Sequence, residues 1–138
     1  MNYQAMIEQI KLHEGLRLKP YKCTEGFITI GYGRNLITNG ITENEAEQML
    51  LADLAKIESS LEGKRLLIGH NSARKAVIIN MAYQLGVTGL LSFKRMLKAF
   101  IENDYETASK EMLNSKWSIQ TPNRASELSD QMRTGEFQ

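Results

Sequence analysis

The chain has one cysteine, Cys23. No internal disulfide can form, so the fold is not stapled and does not depend on an oxidising compartment. Neither sign of charge is in excess: 17 Lys and Arg stand against 16 Asp and Glu, for a formal net charge of +1. Nucleic-acid binders ordinarily carry a basic patch or stripe, so nucleic acid is not an expected partner. No apolar run is long enough for a membrane-spanning helix or the h-region of a signal peptide, the opening segment MNYQAMIEQIKLHEG included. A membrane is therefore not an expected partner, and the chain is expected to stay in the cytoplasm of the cell that makes it until something else releases it. The two histidines, His13 and His70, lie far apart without a thiol or acidic cluster beside them, which gives no zinc pattern; no metal or other cofactor is expected. Internal repeats, low-complexity tracts and long linkers are also missing.

What remains is an ordinary globular composition, 42% apolar and 24% charged over 138 residues, enough for one domain with a real core. Tyr3, Met6, Ile7 and Ile10 recur at helical spacing and predict a short amphipathic helix over about 2–12. From Leu16 through CTEG to FITIGYG, β-favouring residues around a Gly26 turn predict a small antiparallel sheet. Gly31, Gly33, Asn35, Asn39 and Gly40 keep the next stretch tight. Thr42 and Glu45 form a T-x-x-E capping box, and Ala46, Met49, Leu50, Leu54, Ile57 and Leu61 behind it make an apolar stripe that stops at Gly63. That pattern predicts a helix over about 43–61. NSARKAVIINMAYQLG predicts a second, from Asn71 to Gly86, apolar around most of its circumference and so central. Shorter helices follow near 92–102 and 104–114, the latter with Asp104 as cap. The last has Thr121 as N-cap, Pro122 at its first position and Gly135 as its stop. The fold class is α+β, mainly α: a small N-terminal β-hairpin lobe (about 13–41), a connecting helix (42–62) and a helical lobe (63–138 together with 1–12). A cleft between lobes is the expected ligand site.

Three residues near the N-terminus carry candidate chemistry. Glu14 ends the first helix, Cys23 follows nine residues later in the turn, and Thr29 lies in the strand after it. Singly, each has a bland reading: a solvated carboxylate, a small buried thiol, a β-branched strand residue. On the predicted central helix, Asn80, Tyr83 and Gln84 share a face at i, i+3 and i+4, as a cleft wall or as a buried hydrogen-bond set. Arg124 falls in the first turn of the last helix, where the helix dipole disfavours a cation, which points to a carboxylate partner. Trp117 is expected in the core, and Gln120 and Thr121 precede the last helix.

The order Glu14, Cys23, Thr29, embedded in EGLRLKPY and TIGYG, resembles the lysozymes of tailed bacteriophages. ITENEAEQML, INMAYQLGVTG and SKWSIQTPNRA resemble that family's lobe-joining helix, central helix and C-terminal signature, in the same order and over nearly the whole chain. Two positions depart from the family pattern: cysteine at 23, where an acidic residue is usual, and Arg34 after GYG, where many relatives have histidine. The resemblance implies a lysozyme-like fold and an endolysin that hydrolyses the β-1,4 bond between N-acetylmuramic acid and N-acetylglucosamine in peptidoglycan, with no cofactor. It also implies a monomer, and a separate pore-forming protein for release to the wall at host lysis. Glycosidic cleavage needs an acid for the departing oxygen and a second group for water or positive charge. Glu14 would be the acid, holding its proton through partial burial. Cys23 and Thr29 would position water or act at the anomeric centre; Asn80, Tyr83, Gln84 and Arg124 would contact substrate, with Arg124 also near Glu14. Arg34 is expected to pair with Asp53. A glycan-binding relative that does not cut, and a transglycosylase that uses a sugar hydroxyl in place of water, are the alternatives.

Overall fold

The first helix begins where Asn2 caps it: the Asn2 side chain accepts from Ala5 N at 3.0 Å, and α1 runs Tyr3–Glu14. Gly15, at φ 71°, returns its N–H to Lys11 O and turns the chain out of the helix, leaving Glu14 as the last helical residue. The computed structural model describes residues 1–138 and is 67% helical. Three short strands follow α1: β1 (Arg17–Lys22), β2 (Ile28–Gly31) and β3 (Arg34–Asn35), antiparallel in the order β1-β2-β3. Next come α2 (Leu36–Asn39), α3 (Glu43–Gly63), α4 (Ser72–Leu91), α5 (Lys94–Ile101), α6 (Tyr105–Leu113), α7 (Lys116–Gln120) and α8 (Pro122–Thr134). This is the α+β, mainly helical lysozyme-like fold that the sequence predicts. No single helix is long and apolar enough to cross a membrane.

By contacts the chain forms two units, Met1–Met49 and Leu50–Gln138, and the division falls inside α3. In the first unit Thr29 is the one buried residue. The second unit holds a continuous apolar core built from Leu61, Val77, Ile78, Met81, Leu90, Met96, Phe100, Met112 and Met132, all at most 1% exposed. Trp117 joins this core at 4% exposure, as expected. His70 is buried too. It stacks on Phe100 with ring centroids 3.7 Å apart, and its Nδ1 meets the Tyr105 hydroxyl at 2.7 Å. Tyr105 donates its own proton to Asn103 Oδ1, so His70 must donate from Nδ1. Burial, then the cations Arg74 and Lys75, hold the imidazole below its ordinary pKa.

Local signals read correctly. Thr42 Oγ1 accepts from Glu45 N at 3.1 Å while Glu45 Oε1 accepts from Thr42 N at 2.9 Å, a complete capping box. Asp104 caps α6 through Thr107 N, Pro122 opens α8 and Gly135, at φ 74°, closes it. The central helix breaks where predicted: Gly86 (φ 79°, ψ 159°) interrupts α4. Several expectations are corrected. Thr121 holds the N-cap position but does not cap; its hydroxyl donates back to Trp117 O at 3.0 Å. The stripe on α3 buries only Leu61 fully, with Met49 55% and Leu50 39% exposed. The helices α2 and α7 and the strand β3 lie in stretches for which no element was predicted.

Arg34 pairs with Glu45, not Asp53: Nη1 lies 2.7 Å from Glu45 Oε2. Glu45 is already held close by the capping box, so Arg34 needs to order only one side chain, its own. Arg34, then the Thr42 N–H, hold the Glu45 carboxyl at about 2. A depressed carboxyl pKa contributes stability above its ordinary value and loses it as pH falls through the folded one. Arg34→Ala is therefore expected to lower the melting temperature slightly near pH 6 and by clearly less at pH 2, where the folded carboxyl is already half protonated. The effect should shrink in high salt, because both partners are solvent-exposed. Thermal melts at the two pH values check this.

Candidate active site

Glu14 reaches its place because α1 runs to the last residue before Gly15. Its carboxyl packs on the backbone of Gly33: a Cβ built on Gly33 would overlap Glu14 Oε2 and stand 3.0 Å from Cδ. Gly33 is at φ 75°, which an L side chain rarely adopts, so the backbone there favours glycine. Gly33→Ala is expected to cost about 1–2 kcal/mol in backbone strain. The collision itself is with the flexible end of a side chain, so the carboxyl moves aside, and the expected rate loss is about a hundredfold. Gly31→Ala carries similar strain (φ 69°) with nothing within 4 Å, and should lose far less activity. Melting temperatures and lytic rates of the two variants, measured together, separate strain from displacement.

Cys23 sits at the entrance of a three-residue turn, Thr24–Gly26. Cys23 N donates to Phe27 O and Gly26 N to Cys23 O, both at 2.9 Å, and Gly26 takes φ 87°. The strand pairs run Lys22↔Ile28 and Tyr21↔Thr29, which brings Cys23 and Thr29 together at one end of the hairpin. Phe27 N–H, then Glu25 N–H, hold the thiol below its ordinary pKa against an opposing push from burial and the Glu25 carboxylate. The Thr29 hydroxyl has one proton and two acceptors within reach, the sulfur and Phe27 O. At 2.9 Å the geometry gives it to the carbonyl. Thr29 itself is 4% exposed, a buried hydroxyl on a central strand between Tyr21 and Asn35. The turn is thus a cradle that favours the thiolate over the thiol at position 23.

The second unit carries the other candidates. Arg124 donates from Nε to Asn80 Oδ1 at 3.0 Å, and from Nη2 to the same oxygen and to Asn80 O. Gln84 Oε1 accepts from Trp117 Nε1 at 2.8 Å, which leaves its amide N–H groups to donate elsewhere. Tyr83, 45% exposed, lines a pocket of about 270 Å³ with Asp53, Lys56 and Val87. Asn80 and Gln84 thus serve internal bonds, and Tyr83 is the one of the three that faces open space. A larger pocket of about 560 Å³, framed by Phe93, Lys94, Lys116, Trp117 and Gln120, was not read from the sequence. Its residues come from segments too far apart for any periodicity to group. Also missed were Gly33 and the N–H pair over Cys23. The CTEG turn could have revealed the latter, since a side chain opening such a turn accepts from the N–H two residues on.

Residues 11–132 match the family model for phage lysozyme. A probable T4-type lysozyme 1 of Dictyostelium discoideum is 34% identical, the alignment covering 93% of each chain. An endolysin of Acyrthosiphon pisum secondary endosymbiont phage 1 is 35% identical over 79% of this chain and 74% of its own. The pre-baseplate central spike protein Gp5 of Enterobacteria phage T4 is 31% identical over 97% of this chain, which spans 28% of that protein. The chain belongs to the phage lysozyme family and is a glycoside hydrolase, a lysozyme whose substrate is peptidoglycan.

Proposed function

We propose that the protein cleaves the β-1,4 bond between N-acetylmuramic acid and N-acetylglucosamine with Glu14 as general acid and with Cys23 and Thr29 positioning the attacking water. The observation that carries this reading is the β1–β2 register, which brings Cys23 and the buried Thr29 hydroxyl together at the turn end of the hairpin, where the thiol is held below its ordinary pKa. Glu14 is exposed in the free protein, so the partial burial a general acid needs comes from the substrate once it covers the carboxyl. Protonated Glu14 gives its proton to the departing glycosidic oxygen; a water held by Cys23 and Thr29 attacks the oxocarbenium-like carbon and passes a proton to the thiolate. Tyr83 contacts the glycan, and Asn80, Gln84 and Arg124 brace the wall beside it through their bonds to one another and to Trp117. The same lowered thiol pKa also favours a nucleophilic thiolate, which would give a covalent intermediate and retention where water gives inversion.

The protein serves host lysis, the role that the name of its endolysin relative suggests; in this reading it acts as a monomer and reaches the wall from the cytoplasm through a pore made by another protein. The spike-protein relative makes a virion-borne role the alternative. The test is mass spectrometry of muropeptides released from purified peptidoglycan. Reducing N-acetylmuramic acid ends are the expected products; anhydro ends would convert the reading to transglycosylation, and no release between about pH 5 and 9 would contradict it.

A further inference from the structure

Tyr32 has no part in the steps above, although the Gly31–Tyr32–Gly33 turn is built to display it. Gly31 and Gly33 both take left-handed conformations, φ 69° and 75°, and the tyrosine between them is 42% exposed and outside the apolar core. The last turn of α1 meets this turn at two points. Glu14 rests its carboxyl on Gly33, and Lys11, three residues earlier on the same face, holds its Nζ 5.5 Å from the centre of the Tyr32 ring. The same ammonium lies 3.7 Å from Glu8 Oε1, which tethers it beside the ring. The ring stands one residue from the glycine that touches the acid.

A pyranose presents faces of C–H bonds polarised by the ring oxygens, and the electron-rich face of an aromatic ring attracts them as it attracts the positive edge of another ring. We propose that Tyr32 is a substrate-binding residue whose ring stacks on the C–H face of the N-acetylhexosamine next to the bond that Glu14 cleaves, with Lys11 as the positioning residue that holds the ring. The proposal rests on the assignment of Glu14 as the acid.

The experiment measures kcat and KM on purified soluble glycan strands of alternating N-acetylglucosamine and N-acetylmuramic acid, and titrates the same strands into Glu14→Gln protein to read binding without turnover. Tyr32→Ala is expected to raise KM about tenfold, with kcat reduced far less, and to weaken binding in the Glu14→Gln background by the same factor. Tyr32→Phe and Tyr32→Trp should stay near the wild-type KM, and Lys11→Met should give a smaller rise than Tyr32→Ala. An unchanged KM in Tyr32→Ala, or Phe and Trp variants as weak as Ala, would overturn the stacking role. Tyr32→Leu, apolar but not aromatic, replaces Tyr32→Ala if that variant does not fold. The binding titration does not use the acid, so an active Glu14→Gln protein would sink the assignment of Glu14 while leaving the Tyr32 result to be read by itself.

Discussion

Glu14→Gln protein folds with an unchanged melting temperature and releases reducing ends from peptidoglycan about 10²- to 10⁴-fold more slowly than wild type. The stability half of this expectation follows from burial: Glu14 is exposed, makes no ion pair and lies with its carboxyl against Gly33, so the amide fits the same space. The activity half follows from the chemistry. A glycosidic oxygen is a poor leaving group until it is protonated, and an amide has no proton to give at neutral pH. Initial rates of reducing-end release, with thermal melts as the control, check both halves. A glutamine variant that retains full activity would move the acid elsewhere in the molecule.

Cys23→Ser is expected to lose most of the activity, and pH to report why. Serine keeps the shape and the hydrogen-bonding turn but stays neutral across the whole working range, so it fills the cradle without supplying charge. In wild type, activity that depends on the thiolate falls as pH drops through the folded thiol pKa. The N–H groups of Phe27 and Glu25 hold that pKa below the ordinary thiol value. The acid limb of the wild-type profile should therefore lie below that of a free thiol. An ordinary aspartate titrates several units lower, near 3.9 against about 8.5, so Cys23→Asp should carry the acid limb to lower pH. Rate profiles of wild type and the two variants from pH 4 to 9 provide the comparison. Thr29→Val, which keeps the strand and removes the hydroxyl, should lose activity along with a buried hydrogen bond.

The features legible in the sequence are those whose physics is local. A hydrogen bond between residues three apart needs no knowledge of the rest of the chain, which is why Thr42 with Glu45, and Asp104 with Thr107, were readable in advance. The Gly86 break and the Gly135 stop belong to the same class, since each rests on one residue taking a left-handed φ. Choices among distant partners were not readable. Arg34 had several acids open to it, and Glu45 prevails because the capping box has already fixed its carboxylate. Thr121 had both the residues ahead of it and the carbonyl behind it as hydrogen-bond partners, and the Trp117 carbonyl of α7 takes its proton. The helix α7 is five residues long and too short for any period to show. At the site, Glu14, Cys23 and Thr29 were singled out by the resemblance of the string that holds them to a family pattern, since each alone has a bland reading. The glycine under the carboxyl and the amides over the sulfur belong to the backbone, which side-chain patterns do not describe.

The central claim is that Cys23, in its turn, does what an aspartate would do there. The most direct measurement is the initial rate of reducing-end release by Cys23→Asp beside Cys23→Ser and wild type, at the pH optimum of each. The account predicts a nearly inactive serine variant and an aspartate variant that matches or exceeds wild type. Three proteins of equal rate would reduce Cys23 to a packing residue, and an aspartate variant as slow as the serine one would contradict the cradle outright.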